Sequence, residues 1–175
     1  MRKKLFGRLM TKLERKHSKR FERIVLKTLM KHTASCFRVP AVRLRRKALR
    51  DYAVFTEKCM ETGDADPDRL YERSYALGKR IRRISGFRED GDLQRLVFLL
   101  YRYIGIDMSG DIRGDITVNS CFFSRFYDPR QCGIMSEIDS GIVSGIAGGG
   151  RLVFTERLTE GACACRACIK KEETI

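Results

Sequence analysis

The stretch that decides the fold is residues 115–171, DITVNSCFFSRFYDPRQCGIMSEIDSGIVSGIAGGGRLVFTERLTEGACACRACIKK. It holds five of the seven cysteines in the chain, together with the clearest succession of structural signals. Its first part, residues 116–127, alternates and is rich in β-forming residues, which predicts a strand. The pair Asp128-Pro129 is typical of an N-cap and the first residue of a helix. That helix is expected to reach about Ala147.

Three consecutive glycines, residues 148–150, connect this helix to two further strands. We expect the first of these strands at residues 151–159 and the second at residues 163–171, with a tight turn between them. Within the helix, the small residues Gly141 and Gly145 allow another element to approach closely. The segment is therefore predicted to be a strand–helix–strand–strand unit.

The chain before this unit is predicted to be helical. Apolar residues recur at three- and four-residue steps over residues 1–34, and further helices are expected at residues 41–60, 66–85 and 92–104. The last of them contains the apolar run LVFLLY, which indicates a buried helix. About four N-terminal helices followed by a strand–helix–strand–strand unit define an α+β fold class.

The positive charge is concentrated at one end of the chain. Residues 1–50 carry 18 Lys and Arg against 2 Glu, so this segment accounts for the net charge of +14. We expect a basic helical extension at residues 1–38, ahead of a single α+β domain at residues 39–175. The extension is interpreted either as a solvated scaffold helix or as a surface that docks on an anionic membrane or an acidic protein. Nucleic acid is a less favoured partner, because no recognisable nucleic-acid-binding motif accompanies the charge.

Composition favours a protein of the cytoplasm, held peripherally at a membrane if the basic extension docks there. No apolar run approaches the length of a bilayer span, and the basic start lacks the apolar core of a secretory signal. Cysteines should be reduced in that compartment, which favours metal binding, nucleophilic chemistry or burial over a disulfide framework. The two histidines, His17 and His32, both lie in the basic segment, which disfavours a site built on imidazole.

Four cysteines are expected to converge in this topology. Cys121 lies on the first strand, Cys132 lies at the start of the helix, and Cys163 and Cys165 share one face of the last strand. Two interpretations of this set stay open. The four thiolates form a site for zinc or an iron–sulfur cluster, or the cysteines are ordinary buried thiols.

Cys132 is also the candidate nucleophile. It falls in the first turn of its helix, where the helix dipole favours a thiolate, so we expect a lowered pKa when the thiol is not deeply buried. Asp139, seven residues further along the same helix face, and Glu156 are the candidate acid–base carboxylates. Either carboxyl suits that role if burial raises its pKa toward neutrality.

The end of the segment resembles a known family. Cys121, Cys132 and the run RLTEG at residues 157–161, followed by Cys165, resemble the C-terminal half of the L-2-amino-thiazoline-4-carboxylate hydrolase-like family. The same ending is similar to 4-vinyl-reductase-type ligand-sensing domains, in which a cysteine after the glycine turn helps to bind zinc. The chain departs from the hydrolase pattern at Ala162, where that family has Asp.

Two classes of function follow from these observations. The hydrolase resemblance implies an enzyme that opens a small cyclic C–N or C–S substrate, with Cys121, Cys132 and Cys165 at the matching positions. The alternative is a non-catalytic module that binds zinc, an iron–sulfur cluster or a small ligand and docks through its basic N-terminal helix. A third interpretation is an α+β scaffold in which the cysteines only pack.

Overall fold

The computed structural model describes residues 45–63 and 65–170 of the chain. This part contains four α-helices and one four-stranded antiparallel sheet, so the predicted α+β class is confirmed. None of its helices is both long enough and apolar enough to cross a bilayer. The predicted helix at residues 1–34 and the basic extension at residues 1–38 lie outside the described residues. The elements are α1 (Arg45–Glu61), α2 (Pro67–Ser85), α3 (Asp90–Tyr103), β1 (Ile106–Gly110), β2 (Asp115–Cys121), α4 (Pro129–Ala147), β3 (Arg151–Glu156) and β4 (Cys165–Lys170).

The four strands are ordered β1–β2–β4–β3, and every neighbouring pair is antiparallel. Helix α4 connects β2 to β3, the strand at the far edge. Strand β1 is not among the predicted elements, because its five residues hold only two large apolar side chains, Ile106 and Met108. The core face of the sheet is formed by alternate buried residues: Ile106, Met108, Ile116, Val118, Leu152, Cys165 and Ala167.

The other three strands are shorter than predicted. The predicted strand at residues 116–127 ends at Cys121 and continues as a 3-10 helix, Phe122–Arg125. Aromatic rings four residues apart contact each other there, as a helical turn allows. The rings of Phe123 and Tyr127 are stacked, with their centres 6.0 Å apart. Strand β3 likewise ends early and is followed by a second 3-10 helix, Leu158–Glu160.

A bulge in β2 changes which side chains face the core. Strand β1 pairs with Val118 and with Ser120 but skips Asn119, which is therefore an extra residue in β2. Regular alternation predicts that Cys121 shares a face with Asn119. The bulge instead turns Cys121 to the same face as Val118, toward the core.

Helices α2 and α4 begin and end where the sequence predicts. Asp66 caps α2 by accepting hydrogen bonds from two backbone N–H groups of the first turn, and Asp128 forms a capping box with Gln131. At the other ends, Gly86 and Gly148 adopt left-handed conformations, with φ of 69° and 91°. These local signals explain why the predicted boundaries are accurate.

Helix α4 is the central helix of the domain. Residues 135–147 are all buried except Glu137 and Asp139, which are partly buried. The helix packs against α2 on one side and against β3 on another. A Cβ atom at Gly145 would lie 2.9 Å from the Cα of Gly78 in α2, so the two backbones are in close contact. This agrees with the close approach predicted from the small residues of α4.

Two serines of α4 bind the backbone of the edge strand β3. The Ser140 hydroxyl donates to the Leu152 carbonyl oxygen at 2.7 Å, and the Leu152 N–H donates to the Ser144 hydroxyl at 3.0 Å. All of these groups are buried. The polar atoms on this side of α4 therefore have partners within the fold.

Candidate functional site

An ionisable cluster surrounds Asp139 of α4. Burial raises the pKa of the Cys121, Cys132 and Cys165 thiols, and the nearby charge of the Asp139 carboxylate raises each of them further. Tyr101 of α3 also approaches the Asp139 carboxyl. The structure thus brings together Asp139 and three of the cysteines that the sequence singles out.

The Asp139 carboxyl has a strongly shifted pKa. Burial raises that pKa from 3.8 to about 7, and the Tyr101 hydroxyl acts in the opposite direction. Part of the residue surface stays exposed, whereas the carboxyl group itself is enclosed by protein atoms. A carboxyl with a pKa near 7 is present in both protonation states at neutral pH, and so it both donates and accepts protons there.

Cys132 lies in the first turn of α4 as predicted, but its pKa is not lowered. Burial raises the pKa, and the charge of Asp139 adds to the rise; together they outweigh the Thr159 hydroxyl and the Arg157 guanidinium, which lower it. The Cys132 N–H is already bonded to the Asp128 carbonyl oxygen at 2.9 Å, so Cys132 lies past the unpaired N–H groups of the helix start. A lowered pKa is predicted only for a thiol that is not deeply buried, and burial raises the pKa of this thiol instead. Cys132 is a neutral thiol at neutral pH.

The other two thiols of the cluster are those of Cys121 and Cys165. Burial raises the pKa of Cys121 to about 12. Cys165 is buried, and its sulfur accepts a hydrogen bond from the Leu158 N–H at 3.3 Å. Burial raises its pKa as well. Cys121 and Cys165 therefore enclose the site as neutral thiols.

Two predicted site residues lie outside the cluster. Cys163 is exposed in the loop before β4, which begins only at Cys165, so the prediction that these cysteines share a strand face is wrong. Glu156, at the end of β3, pairs with Arg166 at 3.3 Å on the solvent side, and both side chains are more than half exposed. The structure therefore offers Asp139 alone of the two predicted carboxylates to the clustered thiols.

The structure does not gather the four predicted cysteines into one ligand set. Within residues 45–63 and 65–170, no group of three or more His, Cys, Asp or Glu side chains is arranged to hold a metal ion. Cys163 is separated from the other three by its place in the exposed loop. Binding of zinc or an iron–sulfur cluster by Cys121, Cys132, Cys163 and Cys165 stays a prediction.

Three buried polar atoms of this region have no hydrogen-bond partner among the described residues: Tyr101 Oη, Arg157 Nε and Thr159 Oγ1. The Tyr101 and Thr159 hydroxyls are close enough to shift the pKa of Asp139 and Cys132, but their geometry falls short of an ordinary hydrogen bond. Unpaired buried polar groups are rare in folded proteins, and each requires an explanation such as a bound ligand or water molecule.

These three residues are not among the predicted site residues. The sequence contains one signal for them, because Tyr101 ends the apolar run LVFLLY, which indicates a buried helix. In the structure Tyr101 is only 3% exposed. A tyrosine buried this deeply normally places its hydroxyl against a polar partner. Arg157 and Thr159 follow β3 in a segment that the sequence predicts to be strand. Both belong to the run RLTEG that carries the family resemblance, but the resemblance assigns a role to the cysteines and not to these two residues.

Arg157 is held firmly beside α4. One terminal nitrogen, Nη2, donates to the Ser136 hydroxyl at 3.3 Å, and the other, Nη1, lies 3.5 Å from the Glu160 carboxylate. The guanidinium also lies over the Phe154 ring, 5.3 Å from its centre, and the side chain is 21% exposed. Its unpaired Nε–H is therefore fixed in position.

Comparisons with known proteins gave no match. Protein-family models, curated proteins and solved structures were each searched, and none of the three comparisons matched this chain. The resemblance of residues 115–170 to the hydrolase-like family therefore has no support beyond the residues that carry it. Function has to be argued from the chemistry of the Asp139 cluster.

Proposed function

We propose that this chain is a small hydrolase-like enzyme that opens a C–N or C–S bond in a small cyclic substrate. Asp139 is the acid–base group and Cys132 the nucleophile. The observation that carries this proposal is the pKa of Asp139, about 7, in a cluster bordered by unpaired polar atoms. A carboxyl kept in such surroundings destabilises the fold, and residues of this kind concentrate at functional sites.

The chemistry assigned to this pair follows from their protonation states. Cys132 rests as a thiol, so its proton passes to the Asp139 carboxylate as the sulfur attacks the substrate carbon. Asp139 then returns that proton to the leaving nitrogen or sulfur, and water hydrolyses the resulting acyl-enzyme. Seven residues span about 10 Å along a helix axis, which is farther than a single hydrogen-bonded water molecule reaches. The substrate or a chain of water molecules must therefore carry the proton between the two groups.

The test uses p-nitrophenyl acetate, an activated ester that acylates reactive thiols. We expect a burst of nitrophenolate and a single acetyl group on Cys132, located by peptide mass spectrometry. Cys132→Ala should abolish this acylation, and Asp139→Asn should slow it about 100-fold, as loss of general-base catalysis does. Cys163→Ala is the matched control, because Cys163 is exposed and outside the cluster. Acetylation of other cysteines with Cys132 unmodified would contradict the proposal.

A second candidate function is a non-catalytic module that binds a small ligand or a metal. The observation that favours it is the set of three buried polar atoms without partners among residues 45–63 and 65–170, which suit a bound ligand whether or not that ligand reacts. Metal analysis of protein purified without oxygen, with thiol counting before and after unfolding, separates the candidates. Stoichiometric zinc or iron together with protected thiols would support the metal-binding module.

A further inference from the structure

We propose that Arg157 Nε and Thr159 Oγ1 bind one oxygen atom of the substrate and stabilise the charge that develops on it when Cys132 attacks. This inference rests on the proposed function and names the reacting group of the substrate, a carbonyl. The class of substrate is therefore a cyclic amide, opened at its C–N bond, or a cyclic thioester, opened at its C–S bond. The two donors would form an oxyanion site, in which fixed hydrogen-bond donors favour the transition state over the ground state.

The position of Arg157 supports this inference. Its Nη2 donates to the Ser136 hydroxyl, and Ser136 lies one turn after Cys132 on the same face of α4. Ser136 is itself held by a hydrogen bond of 2.7 Å from its hydroxyl to the Gly133 carbonyl oxygen. The guanidinium is thus fixed over the turn of helix that presents the Cys132 thiol.

Thr159 places a hydroxyl near the Cys132 thiol, and that hydroxyl lowers the pKa of Cys132. Thr159 lies within the 3-10 helix Leu158–Glu160, which begins directly after Arg157 and contacts α4. Its hydroxyl oxygen is buried and has no regular partner in the described part of the chain. A buried hydroxyl beside a nucleophile is available to a substrate atom without first breaking a hydrogen bond within the protein.

The pairing of Arg157 favours a single oxygen atom as its ligand. Both terminal nitrogens of Arg157 already have partners, Ser136 and Glu160. The guanidinium is therefore less able to donate two parallel hydrogen bonds to a carboxylate, as arginine usually does. The Glu160 carboxylate also offsets part of the guanidinium charge. A neutral carbonyl oxygen that becomes negative during the reaction fits the remaining Nε–H better than a resident anion does.

The reaction step balances with these groups in place. The S–H proton of Cys132 moves to the Asp139 carboxylate, and the sulfur forms a bond to the carbonyl carbon. The electron pair of the C=O double bond moves to oxygen, where Arg157 and Thr159 donate hydrogen bonds. As the C=O bond re-forms, the bond to the leaving group breaks and Asp139 supplies its proton to that group.

The experiment compares two reactions of the same thiol in the full chain. Acylation of Cys132 by p-nitrophenyl acetate passes through an oxyanion, whereas alkylation by iodoacetamide displaces iodide from a saturated carbon and forms none. Both reactions require the thiolate, so the ratio of their rates cancels any change in the pKa of Cys132. We expect Thr159→Val to lower the acylation-to-alkylation ratio about 100-fold, and Thr159→Ser to retain it.

The outcomes separate this inference from the proposed function. An equal decrease of both rates in Thr159→Val would mean that Thr159 acts only on the thiol, which overturns the oxyanion role and leaves the enzyme proposal intact. Alkylation of Cys132 without acylation in the unchanged protein would overturn both proposals. Far-ultraviolet circular dichroism and urea unfolding of each variant establish that the compared proteins are folded.

Discussion

Polar side chains on one face of helix α4 have hydrogen-bond partners within the fold, whereas the other face borders buried polar atoms that have none among the described residues. On the packing face, formed by Ser140, Gly141, Ser144 and Gly145, both hydroxyls bind Leu152 and both glycines contact α2. The site face carries Cys132, Ser136 and Asp139, and borders three buried polar atoms that lack partners in the described chain. Both faces belong to one well-capped helix, so the difference arises from tertiary surroundings. This difference indicates that the packing face stabilises the fold and that the site face carries the groups proposed for chemistry.

The largest expected effect is the pH dependence that Asp139 imposes. The Asp139 carboxyl has a pKa of about 7 in the folded chain, against 3.8 for an unperturbed carboxyl. As the pH rises from about 4 to about 7, the unfolded chain loses this proton before the folded chain does. The contribution of Asp139 to the free energy of unfolding therefore falls over that range. The shift corresponds to about 4 kcal/mol. Asp139→Asn should remove this loss and make the protein more stable than the original at pH 8, as urea unfolding at several pH values will show. Parallel pH curves for the two proteins would contradict the buried carboxyl.

The next effect concerns the glycine contact of the packing face. A Cβ at Gly145 would meet the α2 backbone, including the Lys79 nitrogen at 2.9 Å, so Gly145→Ala should destabilise the fold by about 3 kcal/mol. Gly133→Ala is the matched control on the same helix, because no heavy atom lies within 4 Å of a Cβ there. That control should stabilise the protein by up to about 1 kcal/mol through helix propensity. Urea unfolding measures both, and equal effects would show that α2 and α4 are not in close contact.

A smaller effect distinguishes paired from unpaired hydroxyls. Ser144→Ala should lower the free energy of unfolding by about 2 kcal/mol, because the buried Leu152 N–H loses its acceptor.

Tyr101→Phe should change stability little at pH 5, because the Tyr101 hydroxyl has no partner of ordinary geometry in the described part of the fold. It should also raise the pKa of Asp139 further, since the hydroxyl lowers it. Unfolding at pH 5 and carboxyl titration by NMR give the two readouts; a large loss of stability in Tyr101→Phe would reassign that residue to the packing of the fold.

The smallest effect is expected at Glu156. Its ion pair with Arg166 is exposed, so Glu156→Gln should change stability by less than about 0.5 kcal/mol. Because Glu156 lies outside the Asp139 cluster, acylation of Cys132 should be unchanged in this variant. A marked fall in acylation would return Glu156 to the candidate acid–base residues that the sequence proposes.

The sequence predicts the fold best where structure depends on neighbours along the chain. The pairs Asp66-Pro67 and Asp128-Pro129 place the helix starts correctly, because capping is a contact within a single turn. Strand β1 is not predicted from the sequence, because it is a strand through its pairing with β2 and its composition gives no strand pattern. The bulge at Asn119 is likewise set by pairing with β1, and it alters the facing of Cys121.

The site was predictable in part for the same reason. Helical periodicity places Cys132 and Asp139 on one face from spacing alone. The pKa of Cys132 depends instead on burial by other elements and on nearby groups such as Thr159 and Arg157, which belong to a distant segment. The contribution of Tyr101 requires knowing that α3 packs against α4. Charge and burial in a site are properties of the assembled fold.

The two serine hydroxyls on Leu152 also bear on aggregation. An edge strand with unpaired backbone groups is a template for strand addition by another chain, the first step toward amyloid-like assembly. Because Ser140 and Ser144 occupy the Leu152 N–H and carbonyl, β3 presents these groups to its own helix and not to a neighbouring molecule. Within the described residues, β3 pairs with β4 alone, so Leu152 is one position of this sheet edge at which addition of a further strand is blocked.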